Sequence, residues 1–235
     1  MNMKKIVVLT GAGMSAESGF STFRDSGGLW EKYPVEQVAT PEGWNADPNL
    51  VTDFYNGLRG QLATAQPNEG HRLLARLESG YEVVVVTQNV DNLHERAGSS
   101  RVIHLHGELT KVTSSRDPEN PHFIRTLGEG ETVVPHGAKA ADGSLLRPYI
   151  VWFGEAVPKM DEAVEEARTA DIFIVIGTSL NVYPAAGLIN YVPRTVPVYV
   201  IDPKAVRISN SPRIRFYETT ATKGMERLYE ELTAK

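Results

Sequence analysis

Four consecutive valines, Val83–Val86, constrain this chain more than any other feature in it. A β-branched run without alternation is a strand buried on both faces, and such strands belong to parallel sheets covered by helices. Directly after it the chain turns polar, as Thr87-Gln88-Asn89-Val90-Asp91-Asn92-Leu93-His94. In open α/β sheets, ligands bind beyond the carboxyl ends of the strands. Two amides and a carboxylate at such an end can hold a ribose and a carboxamide by hydrogen bonds. The same residues equally suit a polar turn that starts a helix, with Asp91 or Asn92 as its N-cap.

Other strand ends repeat the pattern. Lys4–Thr10 reads as a first buried strand, followed by Gly11-Ala12-Gly13-Met14-Ser15-Ala16. This G-x-G-x-x-A form suits a strand–turn–helix loop in which the glycines admit a pyrophosphate to the backbone and helix amides offer it positive charge. A plain tight turn needs the same glycines. Asp171–Ile176 is a further strand, ending in Gly177-Thr178-Ser179, and Pro197–Asp202 another, closed by a carboxylate. That acid can accept from ribose hydroxyls or start a turn before Pro203. Arg101–Glu108 reads as one strand ending in His106-Gly107, with His104 and His106 on a shared face. An imidazole at such an end suits a general base.

Helical spacing covers much of 31–66, broken at Pro41-Glu42-Gly43. It resumes after Pro67-Asn68 and stops at Gly80, then recurs over Met160–Ala170 and 225–234. The glycine-rich stretch from Ser18 to Trp30 is a loop carrying Phe23 and Arg24, and 110–148 is the least regular segment. Tyr149–Glu155 is extended and apolar, either a core strand or an edge that pairs with a peptide. Strands alternating with helices predict an α/β fold with a doubly wound parallel sheet. At 235 residues the chain suits one large α/β domain plus an insert.

Composition excludes several functions. The net charge of -5 argues against a nucleic-acid partner. No apolar run approaches the roughly 20 residues that span a bilayer. Ile6–Leu9 is too short for a signal-peptide core, so the expected location is cytoplasmic. Cysteine is absent, which removes disulfides, a thiolate nucleophile and Cys-ligated zinc.

Taken together, the motifs resemble the sirtuin family, the NAD-dependent protein lysine deacylases. The resemblance runs over nearly the whole chain: Gly11-Ala12-Gly13-x-Ser15-Ala16-Glu17-Ser18-Gly19, Thr22-Phe23-Arg24, Gly28-Leu29-Trp30, Thr87-Gln88-Asn89-x-Asp91-x-Leu93-His94, His106-Gly107, Val151–Glu155 and Gly177-Thr178-Ser179. It implies a Rossmann-like domain over 1–30, 67–109 and 149–235, and a small domain from insertions 31–66 and 110–148. It implies NAD and acyl-lysine in the cleft between them. Gly11, Ala12, Gly13, Ala16, Phe23, Arg24 and Asp25 would form the first NAD loop. Gln88 and Asn89 would hold the nicotinamide ribose, Asp91 the carboxamide, and Gly177, Thr178, Ser179, Asp202 and Ala221 the phosphates and adenosine. His106 would be the general base, with Asn89 beside it in catalysis. Val151, Phe153 and Gly154 would flank the substrate lysine. The products would be free lysine, nicotinamide and O-acyl-ADP-ribose, made by a monomer without membrane or nucleic-acid partners.

The chain departs from the family pattern in three places. The family's first zinc cysteine would fall near Ser114, and His122 and His136 are too irregularly spaced to replace the set, so no stoichiometric zinc is expected. Phe20-Ser21 stands where Ile-Pro is usual. Members that remove acidic acyl groups carry Tyr-x-x-Arg beside a small Ala. Here Ala39 and Tyr55 match, Leu58 stands at the Arg position, and Arg59 follows it. On a helix i+4 lies about 40° from i, so Arg59 can share the Tyr55 face and bind an acidic acyl group, or Leu58 can line an apolar pocket. The rival activities are ADP-ribosyl transfer to protein, NAD sensing without catalysis, and hydride transfer. The last lacks an acid ending a second strand about 20 residues after the glycines.

Overall fold

The computed structural model describes residues 3–20, 32–204, 206 and 211–234. Its strands are β1 (Lys5–Thr10), β2 (Glu82–Thr87), β3 (Val102–His104), β4 (Gly107–Ser114), β5 (Arg125–Thr126), β6 (Leu146–Ile150), β7 (Ile172–Ile176), β8 (Val198–Ile201) and β9 (Ile214–Tyr217). Six of them form a parallel sheet in the order β3-β2-β1-β7-β8-β9. The chain winds outward from β1 to β3, then returns to the other side of β1 and winds outward again, which is the doubly wound topology. The valine run of β2 is buried, as are the apolar residues of β1, β7 and β8.

Both faces of this sheet are covered. The helices are α1 (Val35–Val38), α2 (Pro41–Ala46), α3 (Pro48–Thr64), α4 (Glu69–Leu77), α5 (Leu93–Ala97), α6 (Met160–Arg168) and α7 (Ala221–Thr233). Val7, Leu9, Val84 and Val86 face α6 and the 3₁₀ segment Ala185–Tyr191. Ile6, Val8, Val83 and Val85 face Leu73, Leu74 and Leu77 of α4 and Met225 and Leu228 of α7. Alternate residues thus bury on opposite faces, as strand geometry requires.

The remaining strands form an antiparallel sheet, β5-β4-β6. Helices α1–α3 pack on it through Phe54, Tyr55, Leu58, Leu109, Ile150 and Trp152. The helical run is interrupted at Ala39-Thr40, just before Pro41, and Pro41 then begins α2, where the Thr40 hydroxyl accepts from the Gly43 amide.

Four expectations change. Arg101–Glu108 is two strands, not one: β3 ends at His104, the chain turns at Leu105-His106, and β4 joins the other sheet. A Cβ on Gly107, whose φ is +80°, would collide with the Tyr149 carbonyl, so glycine permits this crossing. The strand expected over Tyr149–Glu155 stops at Ile150, and Val151–Glu155 bends away. The helix expected after Gly13 is two 3₁₀ turns, Ala12–Met14 and Ala16–Ser18. The 110–148 segment, expected to be the least regular, contributes to the antiparallel sheet and has its own small apolar cluster of Val112, Leu127 and Val134.

Candidate active site

Strand register builds the site. Thr10 pairs with Thr87 and with Ile176, and Ile176 pairs with Ile201. The next residues, Gly11, Gln88, Gly177 and Asp202, therefore emerge side by side at the carboxyl rim. β1 and β7 flank the point where the winding reverses, which is where open α/β sheets form a ligand crevice.

At that point the first and third loops touch. A Cβ on Gly11 would lie 2.7 Å from Thr178 Cβ, and one on Gly13 2.7 Å from Gly177 Cα. The Gly11 and Gly13 amides donate to the Ile176 and Gly177 carbonyls, both at 2.9 Å. Packing of loop on loop is therefore what demands glycine here, and these two amides are already engaged within the protein. Ala12 is half-buried in the first 3₁₀ turn and Ala16 exposed in the second. Phe23, Arg24 and Asp25 lie outside the described residues.

The polar stretch after β2 is knitted to this loop. Asn89 Nδ2 donates to the Gly11 carbonyl at 3.0 Å and to Ser15 Oγ at 3.2 Å. The Ser15 hydroxyl donates to Asp91 Oδ2 at 2.8 Å, and Asp91 Oδ1 accepts from the Leu93 amide. Asp91 is 1% exposed. Burial pushes its carboxyl up, against the Leu93 and Ser15 hydrogen bonds. Asp91 thus serves the start of α5 and also faces the glycine loop. Gln88 Nε2 donates to Thr178 Oγ1 at 3.1 Å, joining the β2 and β7 loops. Ser179 follows, half-buried. Asp202 Oδ1 accepts from the Lys204 amide, and Ala221 opens α7, buried near Gly70.

Two histidines meet this cluster differently. His104 Nε2 is 2.7 Å from Glu95 Oε1 and Nδ1 is 3.2 Å from the Asn89 carbonyl. Burial works to lower its pKa, but the Glu95 carboxylate outweighs it and the net shift is upward. His106 Nδ1 lies 3.1 Å from the Gln88 carbonyl. A carbonyl only accepts, so Nδ1 carries the hydrogen and Nε2 keeps its lone pair. Burial lowers the His106 pKa, and the Gln88 bond only partly opposes this. Of the two imidazoles, His106 is the neutral one with a free basic nitrogen.

A second group of predicted residues lies on the small-sheet side. Val151 N–H donates to the His106 carbonyl and Phe153 N–H to the Ala39 carbonyl, both at 3.0 Å. Phe153 is 49% exposed and Gly154 is exposed beside it. Tyr55 is buried, and its hydroxyl accepts from Trp152 Nε1 at 3.0 Å. Arg59, 4% exposed, points toward β4. Its Nε donates to the Leu109 carbonyl at 2.9 Å and its Nη1 to Asn56 Oδ1 at 2.9 Å, while Nη2 is buried without a partner. Burial lowers the Arg59 pKa to about 10. Leu58 is packed in the apolar cluster with Tyr55.

The sequence profile of the Sir2 family matches residues 11–184. The chain belongs to the Sir2 family. It is 64% identical over 230 residues to a Bacteroides thetaiotaomicron protein named NAD-dependent protein deacylase, covering 98% of each chain. It is 47% identical over 230 residues to a Helicobacter pylori protein of the same name, again covering 98% of each. Among solved structures it resembles a Sir2 homologue–NAD complex with a TM-score of 0.85 at 38% identity, over 98% of this chain and 90% of that one. A Sir2 homologue–ADP-ribose complex gives 0.86 at 37% identity, over 99% and 95%.

In this Sir2 chain, sequence reasoning passed over Thr10, Ser15, Arg147 and Glu155. Thr10 donates to Thr87 Oγ1 and contacts His94 Nε2 beneath the rim. Ser15 was visible within the glycine motif, but nothing in the sequence says it bridges Asn89 and Asp91. Glu155 was visible at the end of the Val151–Glu155 motif, but Arg147 lies in the stretch read as least regular, and no periodicity pairs the two.

Proposed function

We propose that this Sir2 chain is an NAD-dependent protein lysine deacylase that uses His106 as general base. The observation that carries the reading is the His106 geometry: a neutral imidazole, fixed by Gln88, beside a rim of amides and hydroxyls at the crevice of a doubly wound sheet. The rim fits a dinucleotide. Its donors and acceptors are uncharged or acidic groups of the kind that bind ribose hydroxyls and a carboxamide, and its loops meet at the reversal point. Gln88 and Asn89 would hold the nicotinamide ribose, Asp91 the carboxamide, and Gly177, Thr178, Ser179, Asp202 and Ala221 the phosphates and adenosine. NAD, when bound, supplies a ribose carbon from which nicotinamide departs and to which the acyl oxygen adds.

The protein's own part is positional and protolytic. Asn89 is locked by Gly11 and Ser15, so its place at the rim is set before any ligand arrives. His106 Nε2 takes a proton from a ribose hydroxyl while Nδ1–H stays on the Gln88 carbonyl. Val151, Phe153 and Gly154 receive the lysine and its backbone. Residues 31–66 and 110–148 make up the small domain in this reading. The protein acts in the cytoplasm, as a monomer, on acylated lysines. Among the described residues no helix is long and apolar enough to cross a membrane.

His106→Ala should lower deacylation of an acyl-lysine peptide by roughly 10²–10⁴-fold while NAD binding, read by thermal shift, persists. Unchanged turnover would remove His106 from the chemistry. Transfer of labelled ADP-ribose to protein, without peptide deacylation, would move the reading to the rival activity.

A further inference from the structure

The turn after β6 is built around one ion pair, Arg147 buried and Glu155 half-buried. Arg147 is 4% exposed. Its Nη1 donates to Glu155 Oε1 at 2.7 Å, and its Nη2 to Glu155 Oε2 at 3.1 Å and to the Ile150 carbonyl at 2.8 Å. The Trp152 amide donates to Glu155 Oε2 at 2.8 Å, and the Glu155 amide donates back to the Trp152 carbonyl at 3.0 Å. The guanidinium carbon sits 3.4 Å from the Trp152 ring centroid. Residues 150–155 are therefore wrapped around a guanidinium–carboxylate fork instead of continuing as a strand.

Three ties run outward from this turn. Val151 is bonded to the His106 carbonyl and Phe153 to the Ala39 carbonyl. Trp152 Nε1 donates to the Tyr55 hydroxyl. The turn thus touches the proposed base, the helical module and the residues expected to surround the acyl group. Among the described residues, neither Arg147 nor Glu155 hydrogen-bonds to Gly11–Ser15 or Gln88–Asp91 of the dinucleotide rim.

Stability alone does not account for such a pair. Desolvating a buried guanidinium and a half-buried carboxylate offsets part of their attraction, and apolar packing holds a turn as well. What the fork adds is orientation: it sets the Ile150 carbonyl and the Trp152 amide, and through them the direction of Val151 and Phe153. A surface already ordered before binding loses less conformational freedom on binding.

We propose that the Arg147–Glu155 pair is a positioning device for the acyl-lysine peptide, presetting the Val151–Gly154 turn without acting on the dinucleotide rim. This rests on the deacylase reading. The test uses Glu155→Gln and Arg147→Lys, which keep bulk and polarity but dissolve the two-pronged fork. Steady-state kinetics are measured with an acetyl-lysine peptide and NAD varied in turn. The peptide KM should rise about tenfold, with kcat and the NAD KM within about twofold, as expected for lost binding that is equal in ground and transition states. NAD should still raise the melting temperature of both variants as it does for the wild type. Unchanged peptide KM in both variants would overturn the proposal, as would a fall in kcat at constant KM or an equal rise in both KM values. Loss of cooperative melting in both variants would make the pair structural and overturn it too. Wild-type protein without peptide-dependent nicotinamide release would overturn the deacylase reading itself, an outcome separate from all of these.

Discussion

At the scale of single residues, environment separates side chains that look alike in sequence. His104 and His106 stand two apart, yet one is drawn into an acid pair and the other is left neutral. Because burial holds the His106 pKa below 6.5, its basic form persists into mildly acidic solution. The acid limb of kcat/KM, which reports groups of the free enzyme, should therefore have its midpoint below pH 6.5. A midpoint at or above that value would contradict the assignment. Arg59 shows the opposite lesson. Its helical position made it a candidate for an acidic acyl group, but two of its three nitrogens are committed to Leu109 and Asn56. Binding a carboxylate well takes an open two-pronged guanidinium, so we propose that Arg59 tethers α3 to β4 and that neutral acyl groups are preferred. Acetyl-lysine peptide should be cleaved at least about tenfold faster than succinyl-lysine peptide, a gap of roughly 1.4 kcal/mol. Arg59→Leu should leave that preference in place while costing about 1–3 kcal/mol of stability, the penalty for stranding a buried carbonyl. Loss of succinyl activity alone, with stability intact, would restore Arg59 to the pocket.

At the scale of elements, the cysteine-free segment is organised by a hydroxyl. Ser114, fully buried at the end of β4, donates to Asp142 Oδ2 at 2.7 Å and contacts Ser144 Oγ at 2.9 Å. It also accepts from the Arg116 and Asp117 amides. The Ser114 and Ser144 hydroxyls and the Ser144 amide hold the Asp142 carboxyl down at about 2. These bonds join β4 to the turn before β6. Ser114→Ala should cost roughly 1–3 kcal/mol in denaturant unfolding, and elemental analysis of the purified protein should find well under one zinc per chain. A stoichiometric zinc, or an unchanged unfolding midpoint, would defeat this account. Local pattern could not disclose such an arrangement. Nor could Val-Ile-His-Leu-His show that one sheet ends and another begins at Leu105, because that is decided by Val151, distant in sequence, bonding to the His106 carbonyl. Tyr149–Glu155 looked like a strand because its side chains are apolar, and Arg147 and Glu155, which meet where it bends, gave no local signal of that.

At the scale of the whole molecule, the parallel sheet and its rim were legible because buried parallel strands write themselves as unbroken apolar runs. β9 was missed: Ile214-Arg215-Phe216-Tyr217 is a half-exposed edge and leaves no such run. The interior beneath the rim also predicts how the fold responds to acid. His71 on α4 is fully buried against the His94 ring, and burial lowers its pKa to about 4. The unfolded chain takes up this proton near pH 6.5 and the folded one only near 4. The resulting stability is complete above 6.5, declines as pH falls, and is gone near 4. With a shift of about 2.5 pH units at about 1.36 kcal/mol each, His71 accounts for roughly 3 kcal/mol. Urea midpoints from pH 7 to 4.5 should fall, and less steeply in His71→Gln; identical slopes would refute the linkage. The crossing at His106-Gly107 has a wider implication. The imidazole of His106 is moored to Gln88 on the large sheet, while its own carbonyl is moored to Val151 on the small one. The neighbouring Leu109 amide ties the same strand to the Val90 carbonyl, so the orientation of His106, the proposed base, depends on how the two sheets are held together.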